Sequence, residues 1–240
     1  MNFISLGYFC SVAMELERFG IREESSPFDW LISDFQGVIS AIENNFEDFL
    51  TYDYLSQNKK HPNVYRNTKY NITFYHDFNS YCELKQQLPD VQAKYIRRIN
   101  RFHESIKSPT LFIRYISDES KIEGKSKELI WIEDNYDYII ALLKSFNSNN
   151  DILFIANEGV TSDKIKIYNV NKDENDTVAR QPFSKNTILF EKFNSIEVPN
   201  KENNIKRYKK KYGIISKVRK KLNASVKKMF MKEYVHEKQH

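Results

Sequence analysis

The chain has 240 residues and a net charge of +5; 40 % of its residues are hydrophobic, 14 % aromatic and 29 % charged, with a mean hydropathy of −0.64. This is too rich in Phe and Tyr for a disordered chain, and no apolar run approaches the roughly 20 residues that cross a bilayer. Its two cysteines, Cys10 and Cys82, exclude a disulfide scaffold or a Cys-rich zinc module.

The opening MNFISLGYFC has neither the basic nor the apolar region of a signal peptide, so the expected location is cytoplasmic, with both thiols reduced. Residues 2–6 read as a short buried strand running into Gly7. From Cys10 the pattern turns helical, with Val12, Ala13, Leu16 and Phe19 at three- and four-residue steps and Gly20 as the stop. Ser25 to Trp30 form an ordered loop, and a second helix covers Asp34 to Asn44 with Asp34 as its N-cap. Residues 51–68 carry no clean period and read as a polar excursion. The run 70–75 predicts a strand that delivers His76 and Asp77 at its end. A long helix over about 80–107, kinked at Pro89, is followed by a strand at 110–116, a helix at 125–146 and a strand at 151–156. The runs 164–170 and 187–193 read as further strands separated by a loop at 171–186. Strands alternating with helices in this order predict an α/β layered domain with a largely parallel sheet, ending near Val198-Pro199-Asn200.

Cys10 is the most suggestive residue. It stands after a strand and a glycine at the expected first turn of a helix, where unpaired N–H groups and the helix dipole favour a thiolate. That reading predicts a lowered thiol pKa and alkylation much faster than at Cys82. The bland alternative is a small buried hydrophobe. His76 supplies a base at a strand end; Asp77 beside it points to the opposite face and is a poor orienter.

The stretch ISLGYFCSVAMELERFGIREESSPFDWLIS resembles the opening of the bacterial DUF1796 family, labelled papain-like cysteine peptidases. The resemblance is carried by Ser5, Leu6, Gly7, Cys10, Val12, Ala13, Leu16, Gly20, Ile21, Arg22, Ser25, Pro27, Phe28, Asp29 and Trp30. Later pieces carry it too: residues 46–49, His76-Asp77-Phe78, the arginine-rich run 97–102 and the strand at 111–114, so that it covers about residues 3–156. It implies Cys10 as nucleophile, His76 as general base and Asp29 as the polar third member. A papain-like α+β core would place the histidine on an antiparallel sheet, whereas the helix–strand alternation after His76 suits a doubly wound sheet.

Arg97, Arg98 and Arg101 share one helical face and Arg114 interrupts an apolar strand, a set that suits an anionic substrate, with an intramolecular acidic pair as the alternative for Arg114. His103, on the same helix, is a second candidate base. No metal-ligand spacing, glycine-rich phosphate loop or Asp-x-Asp motif is present, so no metal or cofactor is expected.

Residues 201–240 hold 12 Lys and 2 Arg against 3 Glu, a net +11, which leaves the first 200 residues at −6. Ile214, Ile215, Val218, Leu222, Val226, Met229 and Phe230 recur at helical steps among the basic residues. Such a basic amphipathic helix suits an anionic membrane surface, with packing on the acidic body as the rival and nucleic acid not expected. The division is therefore an α/β body over 1–200 and a basic tail over 201–240. The leading expectation is a cysteine-nucleophile hydrolase, a peptidase or related acyl-transfer enzyme. It would act on a peptide or glycan-linked substrate at the inner membrane face. The alternative is a transferase or binding protein of cell-surface polysaccharide assembly that grips its substrate with the arginines.

Overall fold

The computed structural model describes residues 1–174 and 176–213. In chain order it contains β1 (Asn2–Ser5), α1 (Ser11–Arg18), β2 (Leu31–Ser33), α2 (Phe35–Glu43), β3 (Leu55–Gln57), β4 (Tyr65–Asn67), β5 (Ile72–Phe74) and α3 (Leu84–Ile106). There follow β6 (Thr110–Tyr115), the hairpin β7 (Lys121–Ile122) and β8 (Lys125–Ser126), α4 (Lys127–Asp134), α5 (Tyr136–Phe146), β9 (Asp151–Asn157), β10 (Ile167–Val170), α6 (Thr187–Asn194) and α7 over 201–213. The protein is α/β; its described residues form two four-stranded sheets and the two-stranded β7–β8 hairpin, where the alternation of elements suggested one sheet.

The first sheet is parallel throughout, in the order β1-β6-β9-β10. Its strands are apolar on both sides, as a sheet covered on both faces requires. Along β6, Leu111, Ile113 and Tyr115 join Val12 and Leu16 of α1 and Leu189 and Phe193 of α6. Phe112 turns the other way, into the core built with α2, α3, α4 and α5. The second sheet is antiparallel, in the order β2-β5-β4-β3. It packs its inner side on an aromatic cluster in which Phe49 meets Phe74 and Tyr95 at ring-centroid distances of 5.7 Å, and Phe28 meets Phe102 at 6.0 Å.

Arg114 ties the two sheets together. Fully buried, it donates to Leu6 O (2.8 Å), Ser33 Oγ (2.9 Å) and Ser33 O (2.7 Å), and forms a two-pronged pair with Glu128 at 2.9 and 2.7 Å. The fork geometry of guanidinium lets one side chain bridge β6, the β1–α1 turn, β2 and α4. Burial is the largest influence on Glu128 and holds its pKa above the usual carboxylate range, against the pull of Arg114. The intramolecular pair weighed for Arg114 is the one present, so this arginine is not available to an anionic substrate.

Several expectations change. The run 187–193 is α6, not a strand: Asn186 Oδ1 accepts from Leu189 N at 3.1 Å as an N-cap, and Leu189 and Phe193 are buried four residues apart while Ile188 and Phe190 are exposed. The helix expected at 125–146 divides at Asn135, which ends α4 and begins α5. The polar excursion contains β3 and β4, and the strand at 164–170 shortens to β10. The long helix begins at Leu84 rather than near residue 80 and includes Pro89, as expected.

Residues 201–213 lie back on α1. Gly20, at φ +72°, ends α1, and a Cβ there would come within 2.5 Å of Lys201 O. Buried Asn204 donates to Gly20 O at 3.1 Å, and Lys211 Nζ pairs with Glu17 at 2.9 Å. These contacts cross the boundary expected near 198–200. The apolar steps from Ile214 to Phe230 lie outside the described residues. Among the described residues, no helix is long and apolar enough to cross a membrane.

Candidate functional site

The junction of the two sheets places Cys10 and His76 on one cleft. β1 ends at Ser5, and Gly7 and Tyr8 both take left-handed backbone conformations (φ 76° and 29°) before α1 begins. A side chain at Gly7 would put its Cβ 2.5 Å from Ser33 Oγ, so only glycine lets this turn pass so close to β2. Cys10 is the N-cap of α1 and makes no side-chain capping bond, so its thiol is not committed to the helix. On the other side, β5 ends at Phe74 and the chain bends outward through Tyr75 and His76. Asp77 anchors that bend, accepting from Lys94 Nζ and from Tyr95 Oη (2.9 Å). Its carboxylate is turned inward while His76 is exposed, as opposite side-chain directions require.

The cleft has a volume of about 300 Å³ and is lined by Phe9, Cys10, Trp30, Leu31, Ile32, Tyr75 and His76. Its walls are thus apolar apart from the thiol and the imidazole. Trp30 is held from behind by cations: the Arg22 guanidinium lies 5.6 Å and Lys211 Nζ 5.7 Å from its ring centroid. Arg22 is itself fixed by Glu17 (3.0 Å) and Asp29.

Asp29 therefore does different work from that expected. Fully buried, it accepts from Arg22, from Ser26 N at 2.8 Å and from Ser26 Oγ at 3.0 Å, and it lines a separate cleft of about 500 Å³ with Arg101, Asn200 and the 21–26 loop. Its geometry supports the Arg22–Trp30 wall rather than the His76 ring.

The lowered thiol pKa also fails. Burial, the largest influence, pushes the Cys10 thiol above its usual range. Desolvation outweighs the lowering effect of the hydrogen bond with its own backbone, and among the described residues no hydrogen bond joins Cys10 to His76. Cys10 therefore rests as a thiol, with His76 on the wall of the same cleft. The rate of Cys10 alkylation by iodoacetamide should therefore keep rising with pH beyond the ordinary thiol range, and exposed Cys82 should be labelled first near neutrality. Peptide mapping by mass spectrometry checks this; a Cys10 rate already at plateau at pH 7 would contradict it.

Of the arginine set, Arg97 is exposed, Arg98 lies over Tyr95 (4.9 Å), and Arg101 reaches Glu24 (3.4 Å) and Ser25 O (3.3 Å). None of them lines the Cys10 cleft. His103 packs on Phe46, away from Cys10, and burial lowers its pKa. Sequence reasoning did not single out Phe9, Ile32 and Tyr75 as walls; their only signal was adjacency to Cys10, Trp30 and His76. Among the described residues, no group of three His, Cys, Asp or Glu side chains is placed to hold a metal.

Comparison with known proteins agrees with the resemblance. Residues 1–159 match the family described as "Putative papain-like cysteine peptidase (DUF1796)", and the chain belongs to that family. It is 33 % identical over 176 residues to "Uncharacterized protein R408" of Acanthamoeba polyphaga mimivirus, covering 65 % of this chain and 77 % of the viral one. No solved structure matches it.

Proposed function

We propose that this member of the papain-like cysteine peptidase family is an acyl hydrolase, most simply a peptidase, with Cys10 as nucleophile and His76 as general base. The observation that carries the reading is the convergence of Cys10, from the parallel-sheet layer, and His76, from the antiparallel sheet, on one apolar cleft. As Cys10 Sγ attacks a carbonyl carbon, its proton passes to the free nitrogen of His76, so no thiolate need exist at rest. The oxyanion forms beside the first N–H groups of α1, which have no intrahelical acceptor. Collapse expels the amine or alcohol, which takes the proton from His76 and leaves a thioester on Cys10. Water, deprotonated by His76, then cleaves the thioester and restores the thiol.

The basic stretch 201–240 supports a second part of the proposal, attachment of the body to an anionic membrane surface. Hydrolysis of peptide and ester substrates tests the chemistry: loss of turnover in Cys10→Ala supports it, and undiminished turnover removes it.

A further inference from the structure

The antiparallel sheet continues the cleft. Its inner face is buried through Leu31, Tyr65, Ile72 and Phe74, and its outer face is formed by the alternate residues. The register aligns four of these in one row across the strands: Ile32 opposite Thr73, Thr73 opposite Arg66, and Arg66 opposite Ser56. Ile32 is a wall of the Cys10 cleft. The other three line a second depression of about 450 Å³, together with Gln57, Asn58, Val64 and Asn71. The two hollows therefore lie next to each other on the sheet face, with Ile32 lining one and its register partner Thr73 lining the other.

The chemistry changes from one hollow to the other. Around Cys10 the walls are apolar; around Arg66 they are polar, and Arg66 is the one charged side chain among the residues lining that depression. It is exposed and, among the described residues, makes no ion pair or side-chain hydrogen bond. An arginine with an open fork, flanked by hydroxyl and amide side chains, suits a carboxylate. Two strand spacings separate Ile32 from Arg66, about 10 Å, which an extended peptide spans in about three residues.

We propose that Arg66 is a specificity-determining residue: the substrate is an acyl compound of peptide type that places an apolar group in the Cys10 cleft and a carboxylate-bearing residue about three positions away, on Arg66. The inference rests on the assignment of Cys10 as nucleophile and adds the substrate class to it.

The experiment uses two probes, the amides of bromoacetyl-Phe-Ala-Ala-Glu and bromoacetyl-Phe-Ala-Ala-Lys, with alkylation of Cys10 followed by peptide mapping at pH 9. The full-length protein should react about five- to tenfold faster with the acidic probe. Arg66→Gln should abolish the preference and Arg66→Glu should reverse it, while both variants react with iodoacetamide as the parent does. The side chain is exposed on a sheet surface, so neither change disturbs the core. Equal preference in the parent and in Arg66→Glu, with iodoacetamide reactivity intact, would overturn the role of Arg66 and leave the nucleophile standing. Failure of all three reagents to modify Cys10 would instead overturn the nucleophile, and the substrate assignment with it.

Discussion

Replacing Arg114 by Met is expected to destabilise the protein by about 3–5 kcal/mol, the usual consequence of removing one partner of a buried ion pair. The loss follows from what stays behind: Glu128 without its cation, and the carbonyls of Leu6 and Ser33 without their donor. Stabilities of domains this size are about 5–15 kcal/mol, and each kcal/mol shifts Tm by about 2–4 °C, so a fall of roughly 6–20 °C should be seen by thermal denaturation. The deficit should depend on pH. Burial already raises the Glu128 pKa in the folded state, and loss of Arg114 raises it further. A folded-state pKa above the unfolded value favours folding at low pH and loses that advantage as pH rises through it, so the variant should approach the parent in acid and fall away towards neutrality. Adding Glu128→Leu should recover part of the loss, since a buried pair can be replaced by apolar groups at little cost. An unchanged Tm in Arg114→Met would show that the tie between the sheets contributes nothing.

The second large effect concerns rate. Cys10→Ala should reduce acyl hydrolysis by about 10⁴- to 10⁶-fold, because the covalent route is lost and only binding and oxyanion contacts remain. His76→Ala should cost about 10²- to 10⁴-fold, the contribution of a positioned general base. With an uncharged thiol at rest the histidine effect should appear mainly in kcat, since the proton moves as the bond forms. Asp29→Asn should act differently. That carboxylate holds Arg22 and Ser26 rather than His76, so its loss should loosen the Trp30 wall and raise KM more than it lowers kcat. A kcat loss in Asp29→Asn as large as that in His76→Ala, with KM unchanged, would restore Asp29 to the catalytic group.

Much of the α/β scaffold was readable because long apolar runs and three- and four-residue steps leave little choice: β1, α1, α2, α3, β6 and β9 all stand close to where the pattern put them. The misses share a cause. β3 and β4 are three residues each, with Ser56 and Arg66 facing outward, so their pattern is too short and too polar to register. In α6 the aromatic and β-branched residues of 187–193 imitate a strand, and only the Asn186 cap and the four-residue spacing of Leu189 and Phe193 betray the helix. The motif pointed to Cys10 and His76, which line one cleft, but not to the surroundings of Asp29, because position in the chain does not say which of two clefts a buried carboxylate faces. The thiol pKa was misjudged for a related reason: the helix start is visible in the sequence, whereas the burial that raises the pKa depends on segments far apart in the chain. His76 follows a strand of an antiparallel sheet that the order of elements did not suggest, while Cys10 stands at the start of a helix packed against parallel strands.

The central claim is a covalent acyl intermediate on Cys10. Mixing the protein with the p-nitrophenyl ester of N-acetyl-phenylalanine, quenching in acid within the first turnover and mapping the adduct by mass spectrometry tests it most directly. The expected result is a single acyl group on Cys10 that forms with the burst of nitrophenol, decays as product accumulates, and is absent in Cys10→Ala. Turnover with no acyl group on Cys10, or an adduct and rate that persist in Cys10→Ala, would contradict it.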